Sequence, residues 1–366
     1  MPRTSPIVTR LDLPDAHEGE VVVFGRGEGE SVLVHLGHGD WLVVDSTVVD
    51  PQGEPDSIEM QPAALWYLRR IGADVRTAIR LIVASHWDAD HILGIADVLR
   101  VSERAEFATA AAIQDPRLIK WIKGSGDPSA PTRMGKRFVD EFAGVFADLG
   151  RRKRRPVWAS RATLLWESHL SRVWALSPSG TTQTAAVIRM VENANRGDDV
   201  RLSRRNHLSV VLWIEAGAQR LLLGGDLERA PREPWRHVIE SPGRRGAQAA
   251  GFKVPHHGAE TGHVDEVWSE MLVPQPWAVV TRFNGSGLPA ATDLERIRER
   301  AGRTFIVGAA ATASKRDDIT DALIAANTAS YGLHRIRGPL GFVRLRAPLD
   351  GTAAWTADPF GEVVTV

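Results

Sequence analysis

The sequence predicts an α/β layered sandwich. Apolar runs of strand length alternate with segments of helical period along most of the chain. Runs that read as hairpins stand near both ends. A length of 366 residues is enough to bury a large core.

The elements follow in order. Residues 20–45 read as paired strands, with β-branched runs at 21–24, 31–36 and 41–44 broken by Gly-rich turns. The stretch MQPAALWYLRRIG, 60–72, fits a helix, with Pro62 early and Gly72 as its stop. Residues 78–84 form an apolar strand buried on both faces. In HILGIADVLR the apolar positions 92, 95, 98 and 99 keep a helical period. Residues 101–170 differ in character and read as a helical insertion ending in the basic run Arg151, Arg152, Lys153, Arg154, Arg155. Strands are expected again at 171–179, 207–217, 219–228, 251–262, 276–283 and 304–310, a helix at 291–302 and a closing hairpin at 341–358. No internal repeat is visible. The chain is expected to be a single domain, 1–366, interrupted by the insertion.

Composition narrows the function. Charged residues make up 25% and apolar ones 43%, as in an ordinary globular protein. A formal net charge of zero offers no chain-wide attraction for a polyanion, so any nucleic-acid surface must be local. With no cysteine there is no disulfide, and a metal would be held by histidine and carboxylate. The N-terminal residues lack an apolar signal region, and no apolar run nears the ~20 residues that cross a bilayer. A cytoplasmic protein without a membrane partner is expected. The twelve tryptophans have no account at this level.

Chemistry concentrates in LIVASHWDADHILGIADVL, 81–99. An apolar strand ends in His86, Asp88, Asp90 and His91, just before a helix. Capping acids at a helix start would explain one or two aspartates, but not the flanking histidines. Imidazole and carboxylate without thiolate suit Zn, Mn or Fe, and Asp88 as an oxygen donor moves the preference toward Mn. LLLGGDLE places Asp226 at a second strand end, where an acid can bridge two cations. FKVPHHGAETG places His256 and His257 at a third. Strand ends along one sheet edge are where α/β folds build active sites.

The order of these motifs resembles the metallo-β-lactamase fold of hydrolases, and most closely the metallo-hydrolase domain of ComEC-type competence proteins. That branch has HxDxDH, matched by His86-Trp-Asp88-Ala-Asp90-His91, where most of the superfamily has HxHxDH. GRGEGES before the strand ending at Asp45, Asn206-His-Leu-Ser209, Gly225-Asp226, His256-His257-Gly258, WALSPS and GPLGFVRL also fit its pattern. The match spans roughly 20–100 and 170–345. It departs at Gly287-Leu288-Pro289, where the family has Gly-His-Pro, in the 101–170 insertion, and in lacking the family's membrane segments.

The resemblance implies a metallo-β-lactamase-like αββα sandwich with a helical insertion, and two divalent ions, Zn or Mn. His86 and Asp88 would hold the first ion with Asn206 or His207. Asp90, His91 and His256 or His257 would hold the second, and Asp226 would bridge both. Asp45 would orient the ligand loop, and Asp90 and Asp226 would be the catalytic acids. ComEC-type domains are thought to be nucleases, so hydrolysis of phosphodiester bonds, in DNA ahead of RNA, is the expected activity. Arg201, Arg204 and Arg205, with the 151–155 run, are the candidate phosphate contacts; Arg244 and Arg245 add to them. The alternatives are a hydrolase of a small lactone, thioester or cyclic nucleotide, or a scaffold without turnover. A cytoplasmic nuclease must be restrained, which suggests a regulated effector, as in antiphage defence. That reading leaves room for an activating protease and for a homodimer.

Overall fold

A computed structural model describes residues 11–49, 60–114, 133–195, 205–229, 234–244, 246–310 and 339–366. The chain opens with β1 (Glu18–Gly25), β2 (Glu30–His35), β3 (Trp41–Val44) and the short β4 (Val48–Val49) and β5 (Gln61–Pro62). Helices α1 (Ala63–Arg70) and α2 (Val75–Ala78) lead into β6 (Ile79–Ala84), followed by α3 (Ala89–Ile92), α4 (Ile95–Val101) and β7 (Glu106–Ala110). Next come α5 (Arg133–Arg151), β8 (Val157–Ala159), β9 (Thr163–Glu167), β10 (Ser171–Ala175), α6 (Gly180–Asn195), β11 (Leu212–Ala216), β12 (Gln219–Leu223) and α7 (Pro234–Ile239). The remainder is β13 (Ala249–Lys253), β14 (Leu272–Thr281), α8 (Ala291–Arg298), β15 (Arg303–Val307), β16 (Gly341–Pro348), β17 (Thr356–Gly361) and β18 (Val363–Thr365).

Two eight-stranded sheets result, with orders β17-β16-β1-β2-β3-β6-β7-β8 and β18-β15-β14-β13-β12-β11-β10-β9. The central strands are covered on both faces, which is why β1, β2, β3 and β6 read as near-continuous apolar runs. Side chains along β12 alternate between two cores. Leu221 and Leu223 join the core that also holds Val21, Val23, Leu65 and Val98, whereas Leu222 joins Trp213, Trp235, Val238 and Ile297. The first core therefore runs between the sheets and under α1 and α4. The second lies under α7 and α8. The layers are helix, sheet, sheet, helix: the αββα sandwich that the resemblance implies.

The two sheets repeat one pattern that the sequence hides. In the first, β1, β2 and β3 are antiparallel, and β3-β6-β7 continue in parallel. In the second, β10, β11 and β12 are antiparallel, and β12-β13-β14 continue in parallel. Each sheet thus has a switch from antiparallel to parallel pairing, at β3/β6 and at β12/β13. Ligands of α/β sheets bind beyond the carboxyl ends of the parallel strands.

Residues 101–170 are not helical throughout, which corrects the expectation. β7 and β8 extend the first sheet in parallel and β9 pairs with β10 in the second. The sequence EFATA of β7 is short and weakly apolar, so the strong helical period of α5 overshadowed it. The helix α6 was not anticipated, and part of 207–217 is a 3₁₀ turn, Arg205–Leu208.

One glycine governs how β13 packs. A Cβ on Gly251 would stand 2.0 Å from Cζ2 of Trp277, whose indole lies across the strand and meets Trp355 edge-on. Gly251→Ala forces that ring out of its rotamer. It is expected to cost about 1–3 kcal/mol of stability, as overpacking does, read as a lower denaturant midpoint. An unchanged midpoint would show that the indole moves freely.

Candidate metal centre

Four strands of the two switch points end at one place. β3 ends one residue before Asp45, β6 one residue before Ser85, β12 three before Asp226 and β13 four before His257. After β6 the chain turns through Ser85 and His86, and Asp88 stands at the N-cap of α3. The Asp88 carbonyl accepts the His91 N–H at 2.9 Å, so one short turn gathers Asp88, Asp90 and His91. Gly224 lets the next loop approach, because a Cβ there would lie 2.8 Å from Cβ of Pro255. His256 and His257 both adopt left-handed backbone angles, φ 49° and 52°. That costs about 1–2 kcal/mol per residue, a local strain of the kind found at functional sites, and it turns His257 inward.

The donor atoms converge. His91 Nε2 lies 3.4 Å from Asp226 Oδ2 and 3.5 Å from Asp90 Oδ2. His257 Nε2 lies 3.3 Å from Asp90 Oδ2 and 3.7 Å from Asp226 Oδ2. His86 Nε2 lies 3.8 Å from both Asp88 Oδ2 and Asp226 Oδ2. Ligand atoms ~2.0–2.1 Å from a tetrahedral ion stand about 3.4 Å apart, so these separations suit shared coordination. Asp226 Oδ2 belongs to both groups.

The hydrogen-bond network fixes which nitrogen of each ring faces the centre. Asp45 Oδ2 accepts from the Ser85 hydroxyl at 2.6 Å and from His91 Nδ1 at 2.7 Å. Because the Ser85 proton goes to Asp45, its oxygen accepts from His86 Nδ1 at 3.0 Å. His257 Nδ1 donates to the carbonyl and hydroxyl of Thr281, at 3.2 and 3.1 Å. The Thr281 hydroxyl donates to Glu30, whose Oε2 also meets Lys253 Nζ at 2.8 Å. In the neutral form of each ring the proton thus sits on Nδ1, which leaves the Nε2 lone pair for a cation. Those three Nε2 atoms and Asp226 Oδ1 are buried without a hydrogen bond. Burial without a partner is costly for such groups, and a divalent cation satisfies them. Glu30 and Asp45 also come within ligand distance of these rings. They face Nδ1 and therefore orient the rings.

The electrostatics agree with a cation. Burial, aided by His91, holds the His86 pKa down to about 4, so that ring is neutral. Burial opposes protonation of His91 as well, yet Asp226, Asp90, Asp45 and Glu30 outweigh it and hold its pKa well above the usual value. Burial would likewise raise Asp226, but His91 and His257 hold it well below the ordinary carboxylate range. The negative field that draws protons to these rings draws a divalent ion equally, and the two compete.

Not every expected ligand joins this group. His256 Nδ1 pairs with Thr261 Oγ1 at 2.9 Å, and its Nε2 lies 3.3 Å from Asn206 Nδ2. Asn206 donates to Glu228 at 3.0 Å, and His207 Nε2 lies 3.7 Å from the same carboxylate. Asn206, His207 and His256 thus gather round Glu228, beside the centre. The basic run is drawn elsewhere. Arg152 donates to the carbonyls of Leu99, Arg100 and Ser102, and Arg154 to that of Ala105. Arg152 thus caps the end of α4 remote from the ligand turn, about 10 Å along the helix, and Arg154 holds the residue just before β7. Arg244 donates to the carbonyls of Ile239, Ala247 and Glu270. Arg201, Arg204, Arg245 and the side chain of Arg205 lie outside the described residues.

Glu30, Ser85, Lys253, Glu228, Thr281 and Phe283 escaped the sequence reading. Phe283 stacks on the His257 ring with centroids 5.1 Å apart. The one legible signal was Lys253, a cation inside an apolar strand, which demands a buried acid.

No family model matches the chain, and no curated protein matches it. Solved structures similar to it include Zn(2+)-bound PqqB from Methylobacterium extorquens, at 12% identity, 81% of this chain, 99% of that one and a TM-score of 0.42. The metallo-β-lactamase fold protein YhfI from Bacillus subtilis is similar at 10% identity, covering 64% and 70%, with a TM-score of 0.33. A metallo-β-lactamase from Cronobacter sakazakii is similar at 16% identity, covering 62% and 68%, with a TM-score of 0.31.

Asp45 supports two of the three rings. Asp45→Ala should lower affinity for a divalent ion by about 10–100-fold, as loss of an orienting acid does, measured by chelator competition. Undiminished affinity would show that the rings hold their orientation without it.

Proposed function

We propose that the chain is a metal-dependent hydrolase that cleaves phosphodiester bonds, with two divalent ions sharing one carboxylate. The observation that carries this reading is the position of Asp226 Oδ2, within 3.4–3.8 Å of the Nε2 atoms of His86, His91 and His257. His86 and Asp88 would hold one ion; Asp90, His91 and His257 the other. When bound, such a pair supplies Lewis acidity and a water of lowered pKa. Asp90, whose side chain is 18% exposed, faces the solvent side and would take the proton of the attacking water. Asp45, Ser85 and Thr281 hold the rings while substrate binds. Three carboxylates in the donor set favour hard cations and phosphoryl oxygens, and the HxDxDH pattern similar to ComEC-type nuclease domains points the same way. DNA is the first substrate to try.

A second reading has its own support. Arg152, Arg154 and Arg244 donate to backbone carbonyls, which leaves less cationic surface for a long polyanion. A small phosphodiester or ester would suit the same centre.

The test is turnover of circular plasmid and of a small chromogenic phosphodiester across Mn, Zn and Mg. Asp90→Ala and Asp226→Ala should each lower turnover by about a hundredfold or more, since they remove donors and not only supporting groups. Wild-type rates in either variant would refute the mechanism. Plasmid left intact while the small diester is cleaved would decide for the second reading. Asp88→His, which replaces a hard oxygen by imidazole, should move the metal preference from Mn toward Zn. A metal profile identical to the parent's would remove Asp88 from the ligand set.

A further inference from the structure

We infer that the two halves of the centre are unequal. The half made by Asp90, His91 and His257 takes a divalent ion first and holds it more tightly. The half made by His86 and Asp88 fills only at higher metal concentration, so activity that needs both would follow the supply of metal. This rests on the metal-binding reading above and deepens it.

The argument begins with what stands behind each ring. A carboxylate accepting the Nδ1 proton makes the opposite nitrogen a stronger donor and locks the ring, and its loss typically lowers metal affinity 10–100-fold. His91 has such a carboxylate directly, Asp45 at 2.7 Å. His257 has one through Thr281, whose hydroxyl sits 3.1 Å from Nδ1 and donates to Glu30. His86 reaches a carboxylate only through the Ser85 hydroxyl, 3.0 Å from its Nδ1, and that carboxylate is the same Asp45 that already accepts from His91. Donor count adds to the difference. With the shared Asp226, the first half offers four groups and the second three.

Lys253 makes the Glu30 arm workable. Glu30 and Lys253 are both 2% exposed and 2.8 Å apart, with Lys253 also donating to the Val254 carbonyl at 3.0 Å. An unpaired acid there would add to the charge of Asp45, Asp90 and Asp226 and would itself compete for the ion. Paired, it keeps its hydrogen-bond acceptor but little net charge. Phe283, stacked on His257, closes the remaining side of that ring. Glu30 is in this view a positioning residue: it acts on the ion through Thr281 and His257 without reaching it.

The experiment is a titration of the metal-free full chain with Co(II), followed by visible absorption, with elemental analysis after desalting. The expected result is one ion per chain retained through desalting and a second added about tenfold or more weakly. Asp88→Asn should keep the retained ion and lose the weaker one. Thr281→Val should loosen the retained ion about 10–100-fold and alter its absorption, and Thr281→Ser should restore both. Glu30→Gln with Lys253→Met removes both buried charges together and should loosen the same ion. If that double variant does not fold, the Thr281 pair decides alone. Two ions of equal affinity, or loss of the retained ion in Asp88→Asn, or no change in Thr281→Val, would overturn the inference while leaving the metal centre standing. A wild-type chain that binds no Co(II), Zn or Mn would overturn the parent reading as well.

Discussion

The Asp45 carboxylate is the constraint on which the strand ends depend. It is 2% exposed and accepts three protons: the Ser85 N–H at 2.7 Å, the Ser85 hydroxyl and His91 Nδ1. A buried carboxylate without such partners would be strongly unfavourable. With them it joins the end of β3 to the end of β6 and presets the turn between β6 and α3. Its own backbone is left-handed, at φ 59°, a conformation uncommon outside glycine that aspartate tolerates better than most residues. Val83 accepts the Asp45 N–H at 2.8 Å, and Ser31 donates to its carbonyl at 3.0 Å, which holds it there.

From there the architecture is a matter of matched edges. Each sheet changes from antiparallel to parallel pairing once beside the centre, and the two changes face each other across the inner core. The first sheet contributes His86, Asp88, Asp90 and His91; the second contributes Asp226 and His257. Helix α5 steadies the arrangement from outside, because Glu141 accepts the N–H groups of Gly94 and Ala96 at 2.8 and 3.1 Å and so closes the start of α4. The Glu30–Lys253 pair joins the sheets directly, one partner from each.

Much of this was legible in the sequence, for identifiable reasons. The apolar runs that became β1, β2, β3 and β6 are near-continuous, and glycine-rich turns separate the first three, so composition and turn residues located them. His86, Asp88, Asp90 and His91 were legible because four metal-binding side chains in six residues have no packing explanation. That His257 and not His256 faces the other donors was not, because it depends on two consecutive left-handed residues that no local pattern announces. Glu30 could not be seen as a partner of Lys253, since that pairing exists only once the sheets meet. Charge alone does not tell a phosphate contact from a carbonyl contact, so the part of the basic run that braces the fold was not legible. Only the fold shows Arg152 reaching the end of α4.

The pairing of β1 with β16 has a consequence for how the chain reaches this state. Val21, Val22, Val23 and Phe24 are covered on one side by residues 342–345, from the far end of the sequence. Contacts so distant along the chain form slowly, because loop closure comes before any gain. During synthesis the β1–β2 hairpin therefore waits with its Val-rich edge open until residues 341–348 have left the ribosome. Such an edge is a template for pairing with other chains. Slow translation of residues 341–348 would prolong that exposure.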